Sequence, residues 1–124
     1  MSFKQEFNNF AERCHAASYQ AGWWHEPDGS PIKDNKYAVA VKLILCISEA
    51  IEAMEGDRKG LMDDKLPHRS MLEVELADLI IRAGDLAAAY DLDVGGAIEE
   101  KMSFNVTRPD HQLVNRRAEG GKKY

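Results

Sequence analysis

The stretch AVAVKLILCISEAIEAMEGDRKG, Ala38 to Gly60, decides what kind of protein this is. Its first ten residues, Ala38 to Ile47, form the most apolar run of the chain, interrupted only by Lys42. On a helical wheel of about 100° per residue, Lys42, Glu49 and Glu52 share one narrow strip, while Val39, Val41, Leu43, Ile44, Ile47 and Ile51 cover most of the remainder. An ordinary solvated face would be a broad polar arc. This helix carries two acids one turn apart with scarcely any water-facing side to hold them.

The same arrangement returns downstream. Ser70-Met-Leu-Glu73 reads as a capping box, in which Ser70 and Glu73 each bond the other's backbone amide. It opens a helix from about Met71 to Tyr90. Leu72, Leu76, Leu79 and Leu86 make one apolar stripe of that helix, and Val74, Ala77 and Ile81 make another. Between the stripes runs a strip of Glu75, Asp78, Arg82 and Asp85.

Two more helices flank this pair. Phe3, Phe7, Phe10, Cys14 and Ala17 at helical spacing predict a first helix from Phe3 to Gln20. Gly22 and the loop WWHEPDGSPIKDN, with Pro27, Gly29 and Pro31, end it. The second helix, from about Lys36 to Glu55, is expected to stop at Gly56, a residue type that favours helix C-termini. Asp93 is a candidate N-cap for a fourth helix, Val94 to about Thr107, which Pro109 ends. The tail from about residue 110 reads as loose and basic. No alternating strand pattern intervenes, so the expected fold is all-α: one four-helix bundle-like domain over residues 1–124 with a carboxylate-lined site.

Composition narrows the function. With 124 residues, 44% apolar and 30% charged, the chain can build one real core and is not disordered. A net charge of −5 argues against a general nucleic-acid binder, which needs a basic field. Cys14 and Cys46 lie in expected helices without ligand spacing and read as reduced thiols. The opening MSFKQEFNNFAER lacks the apolar core of a signal peptide, and the longest apolar run is too short to span a bilayer. A soluble cytoplasmic protein with no membrane partner is the expectation.

Helices apolar nearly all round need more partners than one short bundle offers, so a homo-oligomer is expected. Four carboxylates on facing strips cannot all stay ionised without cations, since an unpaired buried ion costs several kcal/mol. Oxygen-only ligands suit Mg²⁺, with Mn²⁺ as the alternative. Ion pairing with Lys42 and Arg82 is the competing explanation. A ferritin-like di-iron bundle would want two Glu-x-x-His pairs, and only Glu12-x-x-His15 is present.

SEAIEAMEGDRKG, EVELAD, KMSFNVTRP and the terminal GGKKY, together with the GWWHE loop, resemble the MazG-like all-α nucleoside triphosphate pyrophosphohydrolases from about Gly22 onward. That superfamily's Glu-x-x-Glu, spacer, Glu-x-x-Asp signature is met by Glu49, Glu52, Glu75 and Asp78. The NRRAE segment ahead of GGKKY departs from the shorter tails of such proteins. The resemblance implies Mg²⁺-dependent hydrolysis between the α and β phosphates, metal held by those four acids, and assembly as dimers or tetramers. Glu52 or Glu49 would handle the attacking water. Lys101, Asn105 and Arg108, at i, i+4 and i+7 of the fourth helix, either bind phosphate oxygens and a sugar or base edge or form a solvated charged face paired with Glu99 and Glu100. Trp23 and Trp24 each either stack on a base or cap the core. Arg58 and Lys59 either reach phosphates or remain surface. Asp85 would support the ligands from behind. The alternative function is a non-catalytic helical metal- or partner-binding protein.

Overall fold

Ser70 and Glu73 form the reciprocal pair expected of them. Glu73 N donates to Ser70 Oγ at 3.1 Å and Ser70 N to Glu73 Oε1 at 3.3 Å, a cap of about 1 kcal/mol. In this computed structural model, which describes residues 1–124, that cap starts helix α3, Met71–Ala89. Before it come α1, Phe3–Gln20, and α2, Ala38–Lys59; after it come α4, Val94–Thr107, and a short α5, Leu113–Arg117. Two 3-10 turns, Ile32–Asp34 and Pro109–His111, complete the elements, and there is no β-strand. Asp93 caps α4 as expected, accepting from Gly96 N at 2.9 Å. No helix is long and apolar enough to cross a membrane.

One boundary differs from the expectation. α2 does not stop at Gly56 but continues to Lys59, and Gly60, at φ +62°, turns the chain out of the helix. Gly56 is a packing residue instead. A Cβ there would lie 2.8 Å from Cβ and 2.7 Å from Cγ of Met71, so only glycine lets α2 approach the start of α3 this closely.

The tail also differs. Asp110 accepts from Arg108 Nε and Nη2 at 3.0 and 2.8 Å and from Lys122 Nζ at 2.8 Å, which folds the C-terminus back onto the end of α4. Those two cations hold the Asp110 carboxyl well below the usual carboxylate range.

α3 is the central helix, with α1 on one flank and α2 on another, and α4 packs on α1. Asn8 stitches that last contact: its Oδ1 accepts from Gly95 N at 2.9 Å and its Nδ2 donates to Asp93 Oδ1 at 2.8 Å. The apolar core is small, with Trp24, Leu86 and Ala89 at its heart and Ile32 and Tyr90 against them. No large side chain is fully enclosed, and only 16 of 124 residues are buried, which is little for a chain this apolar.

α2 explains the shortfall. Its face toward α3 carries Cys46, Glu49, Ala53 and Gly56, all buried. Its opposite face carries Ile44, Ile47 and Ile51 at i, i+3 and i+7, and these are 62%, 57% and 56% exposed. The small and acidic residues point inward while the branched apolar ones point outward, the reverse of the usual amphipathic pattern.

Candidate metal centre

The inward face of α2 and the facing strip of α3 meet around three acids. Glu49, Glu52 and Glu75 each offer a carboxylate oxygen, and the three oxygens lie within 4.8 Å of one another. Glu49 is buried, Glu75 half-buried and Glu52 exposed, so the cluster runs from the helix interface out to solvent. Asp78, one turn beyond Glu75 on α3, is half-buried beside them. The charges of Glu49 and Asp63 reach it, and burial together with Glu49 raises its pKa. The four expected acids therefore share one neighbourhood, three of them at ligand distance.

The electrostatics show what the cluster lacks. Burial and the two neighbouring glutamates push Glu75 up to about 8. Its Oε2 is buried with no hydrogen-bond partner. Glu49 behaves in the opposite way. Burial is the largest influence and works against its charge, but the hydrogen bond from Arg82 Nε to Oε1, at 2.6 Å, the guanidinium's charge and hydrogen bonds with Glu75 and Glu52 together hold the carboxyl below its ordinary value. One guanidinium thus balances one carboxylate, and the third acid keeps its proton. An orphaned buried oxygen in an all-oxygen donor set fits a hard divalent cation.

A pH dependence follows. Without metal, native Glu75 holds its proton up to about pH 8, whereas an unfolded chain releases it near the ordinary 4.5. The native state therefore binds more protons across that window, and its stability falls as pH rises through it. Melting temperature in chelator should drop between about pH 5 and about pH 8, and added Mn²⁺ should restore it most at the alkaline end. A metal effect equal at both pH values would count against Glu75 as a ligand.

A cleft opens beside the acids. Its larger part, about 380 Å³, is lined by Ser18 and Trp23 and by Glu49, Asp78, Arg82 and Asp85. A second part, about 280 Å³, shares Ser18, Trp23, Arg82 and Asp85 and adds Lys42.

The two tryptophans part company here. Trp23 is 69% exposed at the cleft and free to stack. Trp24 is 3% exposed in the core and is not available to a base, so its place among the substrate contacts is corrected. Trp24 Nε1 donates to Asp85 Oδ1 at 2.9 Å, and the same oxygen meets His15 Nδ1 at 2.8 Å. Asp85 thus anchors the tryptophan loop. His15 is the half-buried partner of this anchor.

The fourth-helix trio is not a single face. α4 ends at Thr107, and Arg108 has extended backbone, φ −68° and ψ 131°, outside the helix. Its guanidinium is paired with Asp110, at 2.8 Å from Nη2. Lys101 is exposed, with Nζ over the ring of Phe104 at 4.9 Å from its centroid. Asn105 has a buried Oδ1 without a partner. Both stand on α4, against α1 and not beside the acids. Arg58 and Lys59 pair with Glu55 at 3.4 and 2.7 Å, as surface groups.

Asp63 escaped the sequence reading. It is buried, and its Oδ2 accepts from Lys65 N and Leu66 N at 3.0 and 2.7 Å, organising the loop between α2 and α3 near Asp78. An aspartate opening the run DDKLP, a turn signal, was the available clue. Comparison with models of known families, with characterised proteins and with solved structures gives no match to this chain.

Proposed function

We propose that this chain is the subunit of a homo-oligomeric, Mg²⁺-dependent nucleoside triphosphate pyrophosphohydrolase of the MazG-like type, acting on the cytoplasmic nucleotide pool. The observation that carries the reading is the convergence of Glu49, Glu52 and Glu75 from two helices to ligand distance, with Asp78 alongside. Those four residues would hold the metal. A divalent ion bound there supplies charge for the phosphate chain and lowers the pKa of a nearby water.

The remaining work falls to side chains. Glu52 is open to solvent, whereas Glu49 is buried and bonded by Arg82. Glu52 is therefore the better placed to take a proton from the attacking water as its oxygen bonds the α-phosphorus. The bond from that phosphorus to the β-phosphate oxygen breaks, and monophosphate and pyrophosphate leave. Trp23 offers the cleft an exposed aromatic face for a base. The outward isoleucines of α2 support assembly of identical chains, and an assembly is the route by which Lys101 and Asn105 of α4 could reach a neighbour's acids.

The test is pyrophosphate release from a panel of nucleoside triphosphates with Mg²⁺ and with chelator. Metal-dependent release of pyrophosphate, not orthophosphate, is the expected result. Metal binding without turnover of any nucleotide would refute the enzyme and leave the non-catalytic metal- or partner-binding protein.

A further inference from the structure

Two cations line the cleft beside the acids, and the fold uses them differently. Lys42 Nζ donates to Trp23 O at 3.0 Å and lies 4.3 Å over the ring of Trp24. Both engagements hold the tryptophan loop against α2. Lys42 is a fastener.

Arg82 is engaged through Nε alone, on Glu49 Oε1. Its side chain is 42% exposed, and it lines both parts of the cleft. A guanidinium that served only to neutralise a carboxylate would do best to grip both oxygens with two parallel N–H groups. Here the edge formed by Nη1 and Nη2 is left unused, in a cleft whose neighbouring groups include Ser18 and Trp23. Arg82 stands one turn from Asp78 along α3, so whatever meets that edge sits next to the acids. Two parallel donors at a fixed spacing match two oxygens of a phosphate, and a lysine ammonium has no equivalent.

We propose that Arg82 is a substrate-binding residue, its Nη edge holding non-bridging oxygens of the phosphate chain while Glu49 holds its Nε and aims the fork. This deepens the pyrophosphohydrolase reading and rests on it. Glu49 then has a second task beside metal: it positions the arginine. The ion pair of Glu49 with Arg82 is part of the site and not a substitute for metal.

The experiment measures binding of α,β-imido deoxynucleoside triphosphates carrying each of the four bases, in Mn²⁺, to the wild-type protein, Arg82→Lys and Arg82→Ala. Mn²⁺ alone is titrated in parallel. Both variants are expected to bind the analogues about tenfold more weakly or worse. Affinity for Mn²⁺ alone should be unchanged or tighter, since a competing cation has gone. Arg82→Lys keeps the charge beside Glu49, so it also serves if Arg82→Ala fails to fold. Full affinity in Arg82→Lys would reduce Arg82 to a counter-charge and overturn the proposal, as would wild-type affinity in Arg82→Ala. Analogue binding that depends on Arg82, in a protein that turns over no nucleotide, would keep the phosphate contact and remove the hydrolase. Wild-type protein that binds no analogue would remove both.

Discussion

Glu52→Gln is expected to lower pyrophosphate release by roughly a thousandfold while leaving the helical circular dichroism spectrum unchanged. The size follows from charge. A metal–phosphate site draws several kcal/mol of transition-state stabilisation from its ion, and each 1.4 kcal/mol or so is tenfold in rate. Glutamine keeps the volume of the side chain but removes its negative charge and its capacity to take a proton. The folding cost should be slight, because Glu52 is exposed. Steady-state release of pyrophosphate, with Mn²⁺ titrated beside it, reads the result. Activity within a few fold of wild type would take Glu52 out of both roles.

The second large effect concerns assembly. The wild-type protein should run in light scattering at a multiple of its 13.9 kDa chain mass, and Ile44→Asp should convert it to single chains with a markedly lower melting temperature. Ile44 is 62% exposed on the outward face of α2. Were one chain the finished state, that side chain would already meet water, and an aspartate there would cost within about 0.5 kcal/mol of nothing. In an assembly the same face is covered, each isoleucine contributes about 1.5–3 kcal/mol, and a charge placed among them is unpaired. A wild-type protein of single-chain mass, or a variant as stable as its parent, would remove the case for association through α2.

Local chemistry was legible where it acts over a few residues. Ser70 with Glu73 and Asp93 with Gly96 mark helix starts because the capping groups sit three positions apart. The acid strips could be read because helical period alone puts Glu49 with Glu52 and Glu75 with Asp78. What failed depended on distant partners. Gly56 looks like a helix end in sequence, and only Met71 pressing against it shows why glycine stands there. Trp23 and Trp24 are chemically alike, and Asp85, 61 residues away in the chain, is what draws one inward. Arg108 fell one residue past the end of α4, so the i, i+7 register no longer governed it. Asp110 and Lys122 built structure in a tail whose composition alone suggested none.

Gly84 sets the spacing of α1 and α3 beside the cleft. On α3 it faces Ala11, Cys14 and Phe10 of α1, where an added methyl would meet atoms at 3.4 Å in each direction. Alanine would just be seated there, and any bulkier side chain would lever the two helices apart. Because Ser18 on α1 and Asp85 on α3 both line the cleft, the spacing that Gly84 permits between these helices bears on the cleft's width. A larger residue at Gly84 would therefore reshape the cleft from a position that does not line it.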